Sequence, residues 1–188
     1  MSSQTWVQTL ISSQVDGAAL SNSTAATSIL PGQAKFTLPA NFWNYAGQAM
    51  RIKASGRIST VTTTPGNLTL DIRHGSVIVF TTGAMSLNTT AQTNATWLAE
   101  FMLTARAIGS STTANLMGTG FWSSRAILGS AAVGSGGDGL DVQPDTAPAV
   151  GTGFDSTVTN VLDMFATFSV ANASNSIQLH QFFVESLN

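Results

Sequence analysis

Alternating apolar and polar residues predict β-strands along almost the whole chain. The clearest segment is Ala95–Gly109, where alternate residues are apolar and most of the residues between them are polar. Its apolar side comprises Trp97, Ala99, Phe101, Leu103 and Ala105. A two-residue repeat is the pattern of a strand with one buried face. The segment therefore predicts a long strand lying on a hydrophobic core.

Further segments with strand-like patterns extend to the end of the sequence, and none carries a helical stripe. The predicted strands lie in Gly47–Val61, Asn67–Arg73, Ser76–Thr82, Ala114–Ser123, Ala126–Ala132, Ser156–Val170 and Ser176–Leu187. A parallel sheet would need crossover helices, so the pattern favours antiparallel pairing. We predict an all-β fold, an antiparallel β-sandwich of jelly-roll type. The expected core is Ile52, Leu70, Trp97, Phe101, Leu103, Leu162 or Val161, Phe168, Ile177 and Phe183.

The first 34 residues have no firm periodicity. Ser2–Ala34 is rich in Ser, Thr and Ala and ends near Pro31-Gly32. The sequence predicts an extended N-terminal arm over residues 1–34 and a jelly-roll domain over residues 35–188. Such an arm has to be ordered by a neighbouring chain or by the sandwich itself, because it lacks an apolar face of its own. The residues expected to make assembly contacts are Trp6, Val7 and Leu10.

The composition favours a protein that assembles or binds. The chain has seven basic and nine acidic side chains, 9% of its residues, whereas an ordinary domain has roughly 25%. A polar surface with so little charge tolerates close contact with copies of itself. The formal net charge of −2 argues against a nucleic-acid partner, which selects basic surfaces.

The sequence predicts no membrane partner and synthesis in the cytoplasm. The N-terminus lacks the basic start and the apolar core of a signal peptide. No apolar run approaches the ~20 residues that a membrane helix requires.

Catalytic chemistry is not expected. His74 and His180 are the only histidines, and neither has an acidic residue two positions away. There is no Gly-x-Ser-x-Gly elbow for a nucleophile. We predict no enzymatic activity, no catalytic residue and no cofactor.

Gly134–Pro148 is the most motif-like segment. Its run Gly136–Asp141 matches the start of a calcium-binding nonapeptide repeat, which works in tandem but occurs once here. Asp138, Asp141 and Asp145 could supply oxygen ligands. The alternative is an exposed glycine-rich loop at an interface, and we favour it, so no metal is expected.

An aromatic platform for a sugar is a further hypothesis. Trp97 lies on an apolar strand face and is assigned to the core, and Trp43 is expected to close one end of the sandwich. Trp6 and Trp122 remain candidates, and Trp122 is predicted as a ligand contact.

Several runs of the sequence resemble a group of virion structural proteins of tailed bacteriophages, described as minor structural, capsid decoration or tail-associated proteins. These runs are Phe36–Trp43, Gly47–Ser59, Pro65–Gly75, Trp97–Gly109 and Asn175–Asn188. The resemblance covers most of residues 35–188 and leaves the arm outside. Because the runs are strand and turn patterns, they assign no functional residue. The resemblance implies a virion jelly roll that commonly assembles as a trimer.

Together, composition and resemblance predict a virion protein made in the host cytoplasm. We expect a homotrimeric capsid decoration protein that binds the outside of the head and stabilises the shell. Its partners would be copies of itself and the major capsid protein or other virion proteins. The alternative is a tail-associated receptor-binding protein, in a fibre or baseplate, that contacts host surface carbohydrate.

Overall fold

A computed structural model describes residues 7–130 and 139–187, and within them the chain is almost entirely β-structure. A single short 3-10 turn, Gly32–Ala34, is present in these ranges. The described part contains no helix long and apolar enough to cross a membrane. The strands are β1 (Gln8–Ser12), β2 (Leu20–Ser21), β3 (Thr27–Ser28), β4 (Phe36–Leu38), β5 (Ala49–Thr60), β6 (Asn67–His74), β7 (Val77–Thr81), β8 (Met85–Leu87), β9 (Gln92–Ala107), β10 (Asn115–Ser123), β11 (Ile127–Ser130), β12 (Leu140–Gln143), β13 (Asn160–Phe168) and β14 (Ser176–Ser186).

The strands form two antiparallel sheets. Sheet A has the order β1-β14-β5-β9-β10-β12, with β2 also paired to β14. Sheet B has the order β11-β8-β6-β13-β3, with β4 paired to β13 and β7 paired to β6. The chain crosses between the sheets from β2 to β3, from β4 to β5, from β5 to β6, from β8 to β9, and at each step from β10 to β14. The predicted all-β antiparallel sandwich is confirmed.

The core lies between the two sheets and follows the predicted alternation on most strands. On β9, the side chains from Ala95 to Ala105 at every second position are buried. On β13, Leu162 is fully buried, whereas Val161 is 38% exposed and faces outward. Leu162 is therefore the core residue of that pair.

The last strand departs from the prediction because of a β-bulge. The pairing of β14 with β5 shifts register between Leu179 and Gln181. An extra residue in one strand exchanges the faces of the side chains beyond it. Phe182 and Val184 are therefore buried, and Phe183 is half-buried on the outer face of sheet A. The prediction that Phe183 belongs to the core was wrong.

Residues 7–34 pack along the sandwich of their own chain, which is one of the two partners expected to order the arm. β1 and β2 pair with β14, and β3 pairs with β13. The core includes four side chains of this segment: Leu20, Ile29, Leu30 and Ala34. The division of the chain at residue 34 stays a prediction.

A buried carboxylate fastens the end of this segment to sheet B. Asp163 on β13 accepts a hydrogen bond from the Ser28 hydroxyl at 2.7 Å and lies 2.8 Å from the Lys35 ammonium. Hydrogen bonds to a carboxylate are stronger than neutral ones, so this contact fixes β3 and the start of β4 on β13.

Candidate binding surface

The two histidines lie in different sheets and in different environments. His74, at the end of β6, is buried beside Trp43 and Phe154, with ring centroids 6.2 and 4.7 Å away. Burial lowers the pKa of His74 to about 4, because the charged imidazolium loses its hydration. His180 on β14 lies on the outside of sheet A, where its Nδ1 is 2.9 Å from an Asp16 carboxylate oxygen. The absence of catalysis stays a prediction.

The three candidate metal ligands differ in how the structure places them. Asp138 lies outside the described residues. Asp141 is buried on β12, and Asp145 is half-buried, with its backbone N–H donating to the Thr82 carbonyl at 3.0 Å. Within residues 7–130 and 139–187, no group of three His, Cys, Asp or Glu side chains is placed to hold a metal ion.

The prediction that Trp122 contacts a ligand is wrong, because its side chain is completely buried. The indole of Trp122 stacks on that of Trp97 with centroids 4.6 Å apart and an angle of 14° between the planes. The sequence of β10 does not show an apolar face, because two of the inward positions of that strand are the glycines Gly118 and Gly120. Trp43 is also buried, in edge contact with Phe42.

The arm residues predicted to make assembly contacts are only partly placed. Trp6 lies outside the described residues. Val7 is 58% exposed, and Leu10 on β1 is half-buried against the edge of the core. Their contribution to assembly stays a prediction.

Charged side chains on the outer face of sheet A pair with one another. Arg51 lies 3.8 Å from Glu100 and 3.6 Å from Glu185, and Lys53 lies 3.4 Å from Glu100. Arg51 and Lys53 are two residues apart on β5, so both side chains lie on the same face of that strand. Such half-exposed pairs contribute little stability. These two basic and two acidic groups balance one another, and Arg57 and Arg106 add two further positive charges to the same face.

A groove crosses the same face, between two phenylalanines. It has a volume of about 230 Å3, and Phe121 and Phe183 lie on strands separated by β5 and β9. Its lining is Lys53, Ala54, Ser55, Leu98, Ala99, Glu100, Phe121, Gln181 and Phe183. The ammonium of Lys53 is 5.7 Å from the Phe183 ring centroid. The sequence did not reveal this groove because the bulge in β14 directs Phe183 outward.

Beside the groove, the outermost strand of sheet A has an inverted polarity. On β12 the polar side chains Asp141 and Gln143 are buried, whereas Leu140 and Val142 are 51% and 72% exposed. Val142 is the cross-strand partner of Phe121, and Leu140 is that of Ser123. Ser123 is in turn paired with Leu98. Four exposed apolar residues thus lie together on neighbouring strands, and we call Leu98, Phe121, Leu140 and Val142 the apolar strip.

Comparisons with known proteins give remote structural likenesses. No known protein family matches the chain. No curated protein matches it in sequence. Among solved structures it is similar to the CBM2 module of the evolved Dit of Lactobacillus casei BL23 phage J-1. That likeness has a TM-score of 0.37 and 8% identity, and it covers 98% of this chain and 97% of that one.

A second likeness is to a fructofuranosidase from Schwanniomyces occidentalis complexed with fructose. The TM-score is 0.26 and the identity is 11%, and the match covers 97% of this chain and 34% of the enzyme chain. The chain therefore spans about a third of that enzyme's length. None of these likenesses assigns a function to the chain.

Proposed function

We propose that this chain is a non-enzymatic structural protein of a tailed-phage virion. More specifically, it is a decoration protein that binds the outside of the head as a homotrimer and stabilises the shell. The observation that carries the proposal is the exposed apolar strip on the outer face of sheet A, which lies beside ion pairs formed within the chain. The resemblance of residues 35–188 to phage virion proteins supports a place in the virion.

The surface chemistry of the chain suits attachment to a symmetric shell. Each copy needs to contribute only a few kcal/mol, because symmetry repeats the same contact many times and multivalency strengthens attachment. Like-charged subunits packed within the screening length of ~10 Å would repel one another. A chain with a net charge of −2 largely avoids this repulsion.

A reconstitution experiment tests this role. Phage heads that lack the protein are mixed with the purified chain and sedimented, and their resistance to heat or osmotic shock is measured. We expect the chain to sediment with the heads and to raise the temperature at which they release DNA. Heads that bind the chain but gain no resistance would contradict the stabilising role, and no binding would contradict the decoration role.

A second candidate function is favoured by the groove between Phe121 and Phe183. Aromatic walls with polar groups between them, here Ser55 and Gln181, are features of sites that bind sugars. In this alternative the chain is a tail-associated receptor-binding protein that contacts host surface carbohydrate. Binding of the chain to host cells, lost in Phe183→Ala and retained in Val158→Ala, would support it.

A further inference from the structure

We infer that the groove on the outer face of sheet A binds an acidic glycan, a sugar chain that carries carboxylate or phosphate groups. The sugar rings lie between Phe121 and Phe183, and the negative groups lie against Arg57 and Arg125. The inference goes beyond the decoration role. It rests on the sugar site of the second candidate function and deepens it by giving the carbohydrate a chemical class.

Strand register places the two phenylalanines in one row across the sheet. Phe183 on β14 is paired with Lys53 on β5. Glu100 on β9 is paired with Lys53 on one side and with Phe121 on the other. The Cα atoms of the two phenylalanines are therefore three strand spacings apart, roughly 14 Å. A short sugar chain spans such a distance, and the slightly positive C–H groups of its rings pack on the negative faces of aromatic rings.

Polar side chains lie beside this row of phenylalanines. Gln181 is the cross-strand partner of Ser55, and the Ser55 hydroxyl donates to the Gln181 side-chain carbonyl at 3.2 Å. Both residues line the groove. A hydroxyl and an amide can each donate and accept hydrogen bonds, as the hydroxyl groups of a sugar require. The groove thus combines aromatic walls with a small number of polar groups that can orient a ligand.

Two arginines lie beyond the polar side chains on the same face. Arg57 is the cross-strand partner of Thr96. Arg125 follows Ser124, whose hydroxyl donates to the Thr96 carbonyl at 2.9 Å. Arg57 and Arg125 therefore flank Thr96 from opposite sides. Arg125 also lines a depression of about 430 Å3, and this depression adjoins the groove because Leu98 lines both.

The charge of these arginines favours a negatively charged ligand. In the part of the chain that the structure describes, neither Arg57 nor Arg125 forms an ion pair with a carboxylate. Arg57 donates from Nε and Nη2 to the Gln178 side-chain carbonyl at 3.0 and 2.7 Å, which holds the guanidinium without neutralising it. A guanidinium forms paired hydrogen bonds with carboxylate and phosphate oxygens. Uncompensated positive charge beside a groove also raises the local concentration of an anionic ligand.

The shape of the site favours a glycan over a protein partner. The groove is concave and has a volume of about 230 Å3. Concave sites suit small ligands or a single chain, whereas a protein partner needs a broad surface of ~800 Å2. A ligand between Phe183 and Phe121 leaves Leu140 and Val142 of the apolar strip uncovered, because β12 lies on the far side of β10.

Binding to matched polysaccharides tests the class of ligand. The purified chain is applied by bio-layer interferometry to three immobilised bacterial surface glycans: one rich in uronic acids, one with phosphate groups and one neutral. The first is also tested after chemical reduction of its carboxylates to alcohols, which removes charge and keeps the sugar chain. We expect binding to an acidic glycan, and binding at least about tenfold weaker to the neutral and reduced ones. The responses to the first two glycans distinguish carboxylate from phosphate. Absence of binding to both, or equal binding to charged and uncharged glycans, would overturn the inference.

Substitutions that remove equal charge test the position of the site. Arg57→Gln and Arg125→Gln should each weaken binding to the acidic glycan about tenfold. Arg106→Gln is the control, because it removes the same charge from the same face. Arg106 is ten residues from Thr96 along β9, roughly 33 Å away. All three arginines are exposed, so circular dichroism should show unchanged strand content. An equal loss in Arg106→Gln would indicate attraction by net charge without a site, and would overturn the inference.

The aromatic walls have a test of their own. Phe183→Ala should weaken binding to the acidic glycan about tenfold, because the sugar rings lose one packing surface. Val158→Ala is the control, since Val158 is 49% exposed and precedes β13 in the other sheet. Binding that is unchanged in Phe183→Ala, in a protein with the circular dichroism of the wild type, would contradict a site in the groove.

These measurements separate the inference from the proposed functions. Glycan binding is read on the purified chain, whereas decoration is read on heads and the receptor role on host cells. A chain that binds acidic glycans through its arginines but does not bind host cells would retain the inference and reject the receptor role. Binding to host cells that Arg57→Gln and Arg125→Gln leave unchanged would do the reverse.

Discussion

At the scale of single residues, burial of His74 makes the stability of the sandwich depend on pH. The unfolded chain binds a proton at this imidazole near pH 6.5, whereas the folded chain binds it only near pH 4. Between these values the unfolded state holds more protons, so acidification favours unfolding. The stability contributed by keeping His74 neutral is therefore fully present above pH 6.5, and it is lost as the pH falls toward 4.

We therefore expect the free energy of unfolding to fall by about 2 kcal/mol between pH 7 and pH 5 because of His74 alone. His74→Phe should remove this part of the pH dependence, since phenylalanine does not titrate and fits among aromatic neighbours. Urea denaturation of both proteins at the two pH values measures the difference. Equal losses in the two proteins would contradict the assignment to His74.

Gly118 provides a test of packing between the sheets. A Cβ at this position would come within 2.1 Å of the Phe80 ring. We expect Gly118→Ala to destabilise the fold by roughly 1–3 kcal/mol, the usual effect of overpacking a core. Gly32 has open space around its Cβ position, so Gly32→Ala is the control and should have little effect on the thermal midpoint. A Gly118→Ala protein as stable as the control would show that the sheets can separate at this point.

Residue type and spacing predicted most of the core but not the orientation of every aromatic side chain. On β9 an uninterrupted alternation assigned Trp97 and Phe101 to the buried face. On β10 the same reasoning failed because glycines at inward positions left no apolar pattern around Trp122. On β14 it failed because a bulge buries Phe182 in place of Phe183. Both effects depend on pairing with other strands, which a single sequence does not display.

At the scale of elements, the N-terminal segment contributes to the core through very short strands. β2 and β3 have two residues each, too few to show a period, although Ile29 directly after β3 is completely buried. The sequence therefore suggested an arm without indicating which of its two expected partners orders it, and the pairing of these strands with β13 and β14 shows contacts with its own sandwich.

Substitution of Ile29 measures this contribution. Ile29→Ala should lower the free energy of unfolding by about 2–4 kcal/mol, because it leaves a cavity among buried side chains. Val15→Ala, in the same segment but 53% exposed, should change it very little. Chemical denaturation of both variants provides the comparison, and a small effect at Ile29 would mean that the segment is not part of the cooperative core.

β12 shows a second limit of sequence patterns at this scale. Four alternating residues fit either face equally well, and only the pairing with β10 determines that Leu140 and Val142 point outward. A longer strand is less ambiguous, since the two-residue spacing of Arg51 and Lys53 on β5 places both side chains on one face.

At the scale of the whole molecule, the balance of charge predicts how attachment responds to salt. Contacts made by net charge weaken steeply as salt is added, whereas apolar contacts do not. The affinity of the chain for heads should therefore change by less than about threefold between low and high salt. Sedimentation across a series of salt concentrations measures it, and a steep loss of binding would point instead to a charged attachment site.

The most direct measurement of the proposed role is a cryo-electron microscopy reconstruction of phage particles that contain this chain. The account predicts trimeric density of two-sheet sandwiches on the outer surface of the head. Density of this sandwich at the tail, with none on the head, would contradict the decoration role and favour the receptor-binding alternative.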